Sequence, residues 1–249
     1  MEASPDLSQD PPFHWEPLDL VIFVAFFAVT LVFLPVGSFL LFQFFQPDLT
    51  IETLSGVQQI FMQALMDCLL VGFILLLIKK LHRRPILSTL HFTRTENMAV
   101  GRLIAAGAFL AITVLLVSSF FPTPSDSPLE KLLTTTPSLV MFVVFGIAAA
   151  PILEEIIFRG FLFTALMDLF GWRVAVVITS VLFAGLHLSQ LRGNWPAVFV
   201  IFLVGFVLTL VRYRTDSLMP SVIMHTAYNA MIFGISAIGT VLEHSRTVP

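Results

Sequence analysis

LVMFVVFGIAAAPILEEIIFRGFLFTALMDLF, residues 139 to 170, holds its charges at only four positions, Glu154, Glu155, Arg159 and Asp168. About 20 apolar residues in a helix are enough to cross a bilayer, and only a helix or a closed barrel satisfies its own backbone there. The run is long, continuous and not alternating, so it reads as a membrane helix. Three of its charges fall near mid-span, where each costs at least about 2.5 kcal/mol on insertion scales. They need partners or a function.

The rest of the chain repeats the pattern with fewer charges. Of its 249 residues 57% are hydrophobic and 26 are phenylalanine, enough to fill about seven spans of about 20 residues each. Apolar runs place these near residues 20 to 45, 57 to 78, 99 to 121, 139 to 170, 174 to 190, 195 to 211 and 218 to 242. The expected fold is all-α, a polytopic membrane helix bundle of about seven transmembrane helices. Residues 1–17 form a polar acidic N-terminal tail, 18–242 one integral membrane domain whose core of motifs is about 139–233, and 243–249 a C-terminal tail. The first run lacks a basic flank and is too long for a signal segment, so it reads as an uncleaved span. Pro35 can kink it, and Ser127 with Pro128 opens a short interfacial helix between Pro122 and Pro137.

Charge excludes some functions and suggests an orientation. Thirteen basic against 16 acidic residues leave a net charge of −3, which argues against nucleic acid as a partner, and the single cysteine, Cys68, cannot close an internal disulfide. Lys79, Lys80, Arg83, Arg84, Arg94, Arg102, Arg159, Arg173, Arg212 and Arg214 fall on one side of a seven-span arrangement, and Lys131, Arg192 and Arg246 on the other. Basic loops face the cytoplasm, so the N-terminus is expected inside, in the cell membrane, with lipid around the bundle.

Polar groups inside spans gather in three clusters, EEIIFR at 154–159, FAGLH at 183–187 and HTAYN at 225–229. Glu155 and Arg159 lie four apart on one helix face and can pair, each lowering the other's cost. Glu154 stands about 100° away, free to face a cavity as a general base. His225 and Asn229 share a face at the same spacing, as do Phe183 and His187, and Gly185 would let a neighbouring helix come close. Counting helical rise from the span ends puts Glu154 and His225 at one depth and His187 about 10 Å further out. Singly, a Glu–Arg pair is a clamp and a lone histidine is helix glue. Together, one unpaired carboxylate, two imidazoles and an amide form a hydrolytic set. Asp67, one turn after Gln63 in the second span, reads as structural or as lining the cavity, and His14, His82, His91 and His244 carry no signal. No HExxH, HxxEH, GxSG, GxSxG or GxGD motif occurs.

The three clusters, in order and with SLMPSVIMH before the last, resemble the E-E-x-x-x-R, F-x-x-x-H and H-x-x-x-N motifs of the CAAX prenyl protease and bacteriocin-processing family, also called abortive-infection proteins. The resemblance covers about Leu139 to Phe233. It implies an intramembrane endopeptidase acting on a membrane-associated peptide or protein, with Glu154 and His187 activating water, His225 and Asn229 stabilising the oxyanion, and Glu155, Arg159 and Phe183 in support. Glu154, His187 and His225 also match the ligand number and type of a catalytic zinc site. The metal-free version is preferred, because Asn229 suits an oxyanion and makes a poor zinc ligand. The alternative from another class is a non-catalytic transporter, binding protein or bacteriocin-immunity factor that uses the same polar cavity.

Overall fold

In the computed structural model, residues 13–93, 99–121, 136–188, 191 and 194–247 are described, with side chains as far as residue 235. No strand occurs among the described residues, and the chain is an integral, multi-pass helical bundle. The tail at 1–12, the interfacial helix expected between Pro122 and Pro137 with its Lys131, and the positions of Arg94, Arg192 and the Arg246 side chain lie outside the described residues.

Helix α1 is Pro17–Phe45, with proline in its first turn, and it runs on through Pro35. Helix α2, Gly56–Leu76, starts at a reciprocal cap in which Ser55 and Gln58 satisfy each other's backbone N–H, and its last turns widen into a π-helix at Leu77–Leu81. A single turn, α3 (Ile86–Thr89), precedes α4 (Val100–Ser118). Five segments, Thr136–Val144, Phe145–Ala149, Ala150–Glu155, Ile156–Leu162 and Phe163–Phe170, continue without a break as α5, and the second and fourth are π-helical. Gly171, at a φ of 76° that a side chain would resist, turns the chain into α6 (Trp172–Leu186). Helices α7 (Trp195–Thr215) and α8 (Leu218–Thr247) follow.

Six of these helices are long and apolar enough to span a membrane, but α6 is not. It ends four residues before the expected 190, in a turn at His187. Fifteen residues rise only about 22 Å, which is short of a bilayer core.

The interior falls into two apolar groups. In the larger, α1, α2, α5 and α6 meet around Phe161, with Phe23 and Trp15 packed on its ring and Phe26 stacked on Phe73 at 4.1 Å. The smaller joins α4, α7 and α8 through Ala111, Val204, Leu208, Met224 and Tyr228. Helix α4 lies so close along α8 that a Cβ at Gly107 would overlap the Met224 carbonyl and stand 2.9 Å from the Ala227 Cβ. At Gly185, by contrast, an added Cβ would meet nothing within 4 Å among the described residues, so no described helix uses the approach its sequence suggested.

Candidate active site

The α5 segment between Glu154 and Arg159 meets α7 and α8 where the two apolar groups adjoin. Glu155 and Arg159 are both fully buried and pair at 2.8 Å, as their spacing predicts. The rest of the guanidinium is also occupied. Its Nε donates to the Thr209 hydroxyl at 3.2 Å, one Nη donates to the Gly205 carbonyl at 3.0 Å, and its flat face lies 4.5 Å above the Phe183 ring. Arg159 is thus a structural cation inside the bundle, and the charge counted above toward orientation does not reach a membrane surface.

The same Glu155 oxygen that holds Arg159 lies 2.9 Å from His225 Nδ1. A carboxylate can only accept, so the imidazole proton at Nδ1 points at Glu155 and the ring is oriented. Its other nitrogen, Nε2, lies 3.8 Å from an oxygen of Glu154, whose side chain keeps 19% of its surface exposed. Glu154 has no place in the Arg159 clamp. Glu154 and His225 come together, as the count of helical rise predicts.

His187 is fixed in the same manner. Its Nδ1–H donates to the Phe183 carbonyl at 2.8 Å, leaving Nε2 free, and its ring packs on Phe183 at 4.8 Å. Phe183 in turn lies 6.0 Å from the His225 ring. The structure therefore brings Glu154, Glu155, Arg159 and His225 together, with the Phe183 ring against both His187 and His225. Asn229 Nδ2 donates to the Gly146 carbonyl at 2.7 Å, tying α8 to the first π segment of α5 and leaving its second N–H uncommitted.

Among the described residues, no three His, Cys, Asp or Glu side chains are grouped closely enough to hold a metal ion. Of the three ligands a zinc site would draw on, Glu154 and His225 face each other and His187 does not join them.

Several partners had no visible motif. Thr209 and Gly205 hold Arg159 from 50 and 46 residues away, a pairing no local spacing predicts. Of the histidines that carried no signal, three meet a carboxylate, His14 with Asp168 at 3.0 Å, His82 with Asp19 at 2.9 Å and His91 with Asp216 at 3.2 Å, and the side chain of His244 lies outside the described residues. They tie helix ends. Asp67 is buried and accepts from Gln63 at 3.0 Å.

A curated Escherichia coli protein described as "Uncharacterized 24.3 kDa protein" is 28% identical to this chain over 134 residues, 52% of this chain. The match spans 61% of that relative's length. No solved structure matches the chain. The model of one family, described as type II CAAX prenyl endopeptidase Rce1-like, matches residues 136–231, from the start of α5 to two residues beyond Asn229. All three polar clusters fall inside that match, and over this segment the chain is similar to the CAAX prenyl protease family.

Proposed function

We propose that the protein is an intramembrane endopeptidase that hydrolyses a peptide bond in a membrane-associated peptide or protein. The observation that carries this is the 3.8 Å gap between Glu154 and His225 Nε2, with His225 aligned from behind by Glu155 and Glu155 neutralised by Arg159. A buried carboxylate that orients an imidazole whose far nitrogen faces the reacting centre is the logic of hydrolytic triads, with water in place of a side-chain nucleophile.

In this mechanism Glu154 accepts a proton from water as its oxygen attacks the scissile carbonyl carbon. His225, protonated at Nε2 as well as Nδ1, donates to the developing oxyanion, and the second N–H of Asn229 supplies another donor. The C–N bond then breaks, and the proton held by Glu154 passes to the departing amine. A preorganised donor is worth roughly 3 to 4 kcal/mol in a site poor in water. Glu155, Arg159, Thr209 and Gly205 hold the geometry and touch no reactant.

The test is direct. Purified protein in detergent is incubated with a library of quenched-fluorescence membrane peptides, wild type beside Glu154→Gln. Cleavage by wild type and none by a folded Glu154→Gln variant supports the assignment. Equal cleavage by both removes it.

A further inference from the structure

Basic residues that the chemistry above leaves unused collect at one end of the bundle. Contacts between helix ends define that end. The Trp15 N–H donates to Asp168 at 2.9 Å, joining the start of α1 to the end of α5, and His82 meets Asp19 at 2.9 Å, joining the end of α2 to α1. The Trp172 ring at the start of α6 stacks on Tyr213 near the end of α7 at 4.7 Å, and the Leu218 N–H of α8 donates to the His91 carbonyl at 2.9 Å. Lys79, Lys80, Arg83, Arg173 and Arg214 are all exposed here, and none has an ion-pair partner among the described residues.

Acidic side chains at the same end do little to cancel this charge. Asp19 is buried against His82, Asp168 is mostly buried beneath His14 and the Trp15 backbone, and Asp216 is shared by Arg212 and His91. Glu16, at the cap of α1, is exposed. At the opposite end, where α1 leads into α2, the exposed charges among the described residues are Asp48 and Glu52. The two ends thus differ in sign.

Apolar and aromatic neighbours say what meets the basic end. Leu81 and Leu87 are exposed beside Lys79, Lys80 and Arg83, and Phe170 beside Arg173, a face that a soluble acidic partner would leave wet. Trp172 and Tyr213 are exposed too, and such rings settle at headgroup depth in a bilayer. The Arg173 guanidinium lies 5.2 Å over the Trp172 ring, a stacking that leaves its N–H edges for a phosphate. We propose that this end of the bundle docks anionic phospholipid headgroups, with Lys79, Lys80, Arg83, Arg173 and Arg214 contacting phosphates and the Trp172–Tyr213 pair set at their depth. The proposal is independent of the peptidase reading.

The test reconstitutes the full chain in phosphatidylcholine vesicles that carry brominated phosphatidylglycerol or brominated phosphatidylcholine. Tryptophan quenching then gives the relative affinity for the two headgroups beside each reporter. Trp195→Phe leaves Trp172 to report on the basic end. Trp172→Phe leaves Trp195, roughly 27 Å along α7 from Tyr213, with Arg192 as its basic neighbour in sequence. Leu81→Trp, added to a chain lacking both, reports on the end of α2, and the buried Trp15 is common to all three.

Phosphatidylglycerol is expected to be preferred about fivefold or more at Trp172 and at the Leu81→Trp reporter, the factor for one cation at an anionic surface, and less at Trp195. High salt should remove most of the preference. Arg173→Gln with Arg214→Gln should abolish it at Trp172, and Lys79→Gln, Lys80→Gln and Arg83→Gln together at the Leu81→Trp reporter. Equal affinity for the two lipids at both reporters, the result expected if an acidic soluble partner uses this face, overturns the proposal. So does an equal or larger preference at Trp195, or a preference that survives the neutralising substitutions. The salt series serves if a neutralised variant does not reconstitute, and a preference unchanged by salt overturns the proposal as well.

Discussion

Adjacent glutamates sit in different surroundings, Glu155 fully buried in an ion pair and Glu154 with 19% of its side chain exposed. Glu155 shares one oxygen between Arg159 and His225, so its removal strands a buried guanidinium and frees an imidazole together. Breaking a buried pair in this way typically costs roughly 3 to 5 kcal/mol, and Glu155→Ala is expected to lose that much in a thermal or denaturant melt in detergent. Glu154→Ala touches neither partner of the clamp, so its melt should match wild type while cleavage disappears. Metal dependence is tested at this scale too. Metal-free chemistry predicts cleavage that survives exhaustive chelation and falls by roughly 100-fold in Asn229→Ala, the loss expected for one oxyanion donor. Activity lost to chelator and restored by stoichiometric zinc would put Glu154 and His225 in a metal site instead. The Glu155–Arg159 clamp was legible because both partners lie on one helix, and so was the exclusion of Glu154 from it. Thr209, Gly205 and Gly146 were not, because a hydroxyl and two backbone carbonyls leave no mark in a sequence until tertiary packing chooses them.

Among the elements, α8 carries both His225 and Asn229, and α4 sets where α8 lies. At Gly107 an added side chain would overlap the Met224 carbonyl, one residue before His225, with the Tyr228 nitrogen 3.1 Å away. Backbone cannot yield as a flexible side chain can. Gly107→Val is therefore expected to cost about 1 to 3 kcal/mol by overpacking and to reduce cleavage through the displaced His225. Gly72 in α2 has nothing within 4 Å of its missing Cβ, and Gly72→Ala should stay within about 0.5 kcal/mol of wild type. Thermal melts of the two variants side by side check both expectations. Apolar run length located every long helix to within a few residues at most ends. Length alone overstated α6, which stops at His187 in a turn, and apolar content does not report where a turn intervenes. The two π segments that flank Glu154 in α5 were invisible as well, since the extra residue per turn comes from packing. Such segments are frequent at functional sites.

For the whole molecule, apolar composition alone indicated a membrane bundle, because residues that face lipid and residues that face the core look alike in sequence. For the same reason it could not say which faces are buried. Orientation rests on Arg83, Arg84 and Arg214 at helix ends, and reporter fusions after Arg84 and after Arg214 should both behave as cytoplasmic. Opposite signals from the two fusions would show that α6 does not cross the membrane as a seven-span arrangement requires. The central claim is that Glu154 activates a water molecule that cuts a peptide bond. Its most direct test is a single turnover of a cleaved library peptide in water enriched in the heavy oxygen isotope, followed by mass spectrometry of the new C-terminus and of the protein. Direct attack by water places one heavy oxygen in the product carboxylate and none in Glu154, with no product from Glu154→Gln. Label found in the Glu154 side chain, or labelled product from Glu154→Gln at the wild-type rate, would contradict it.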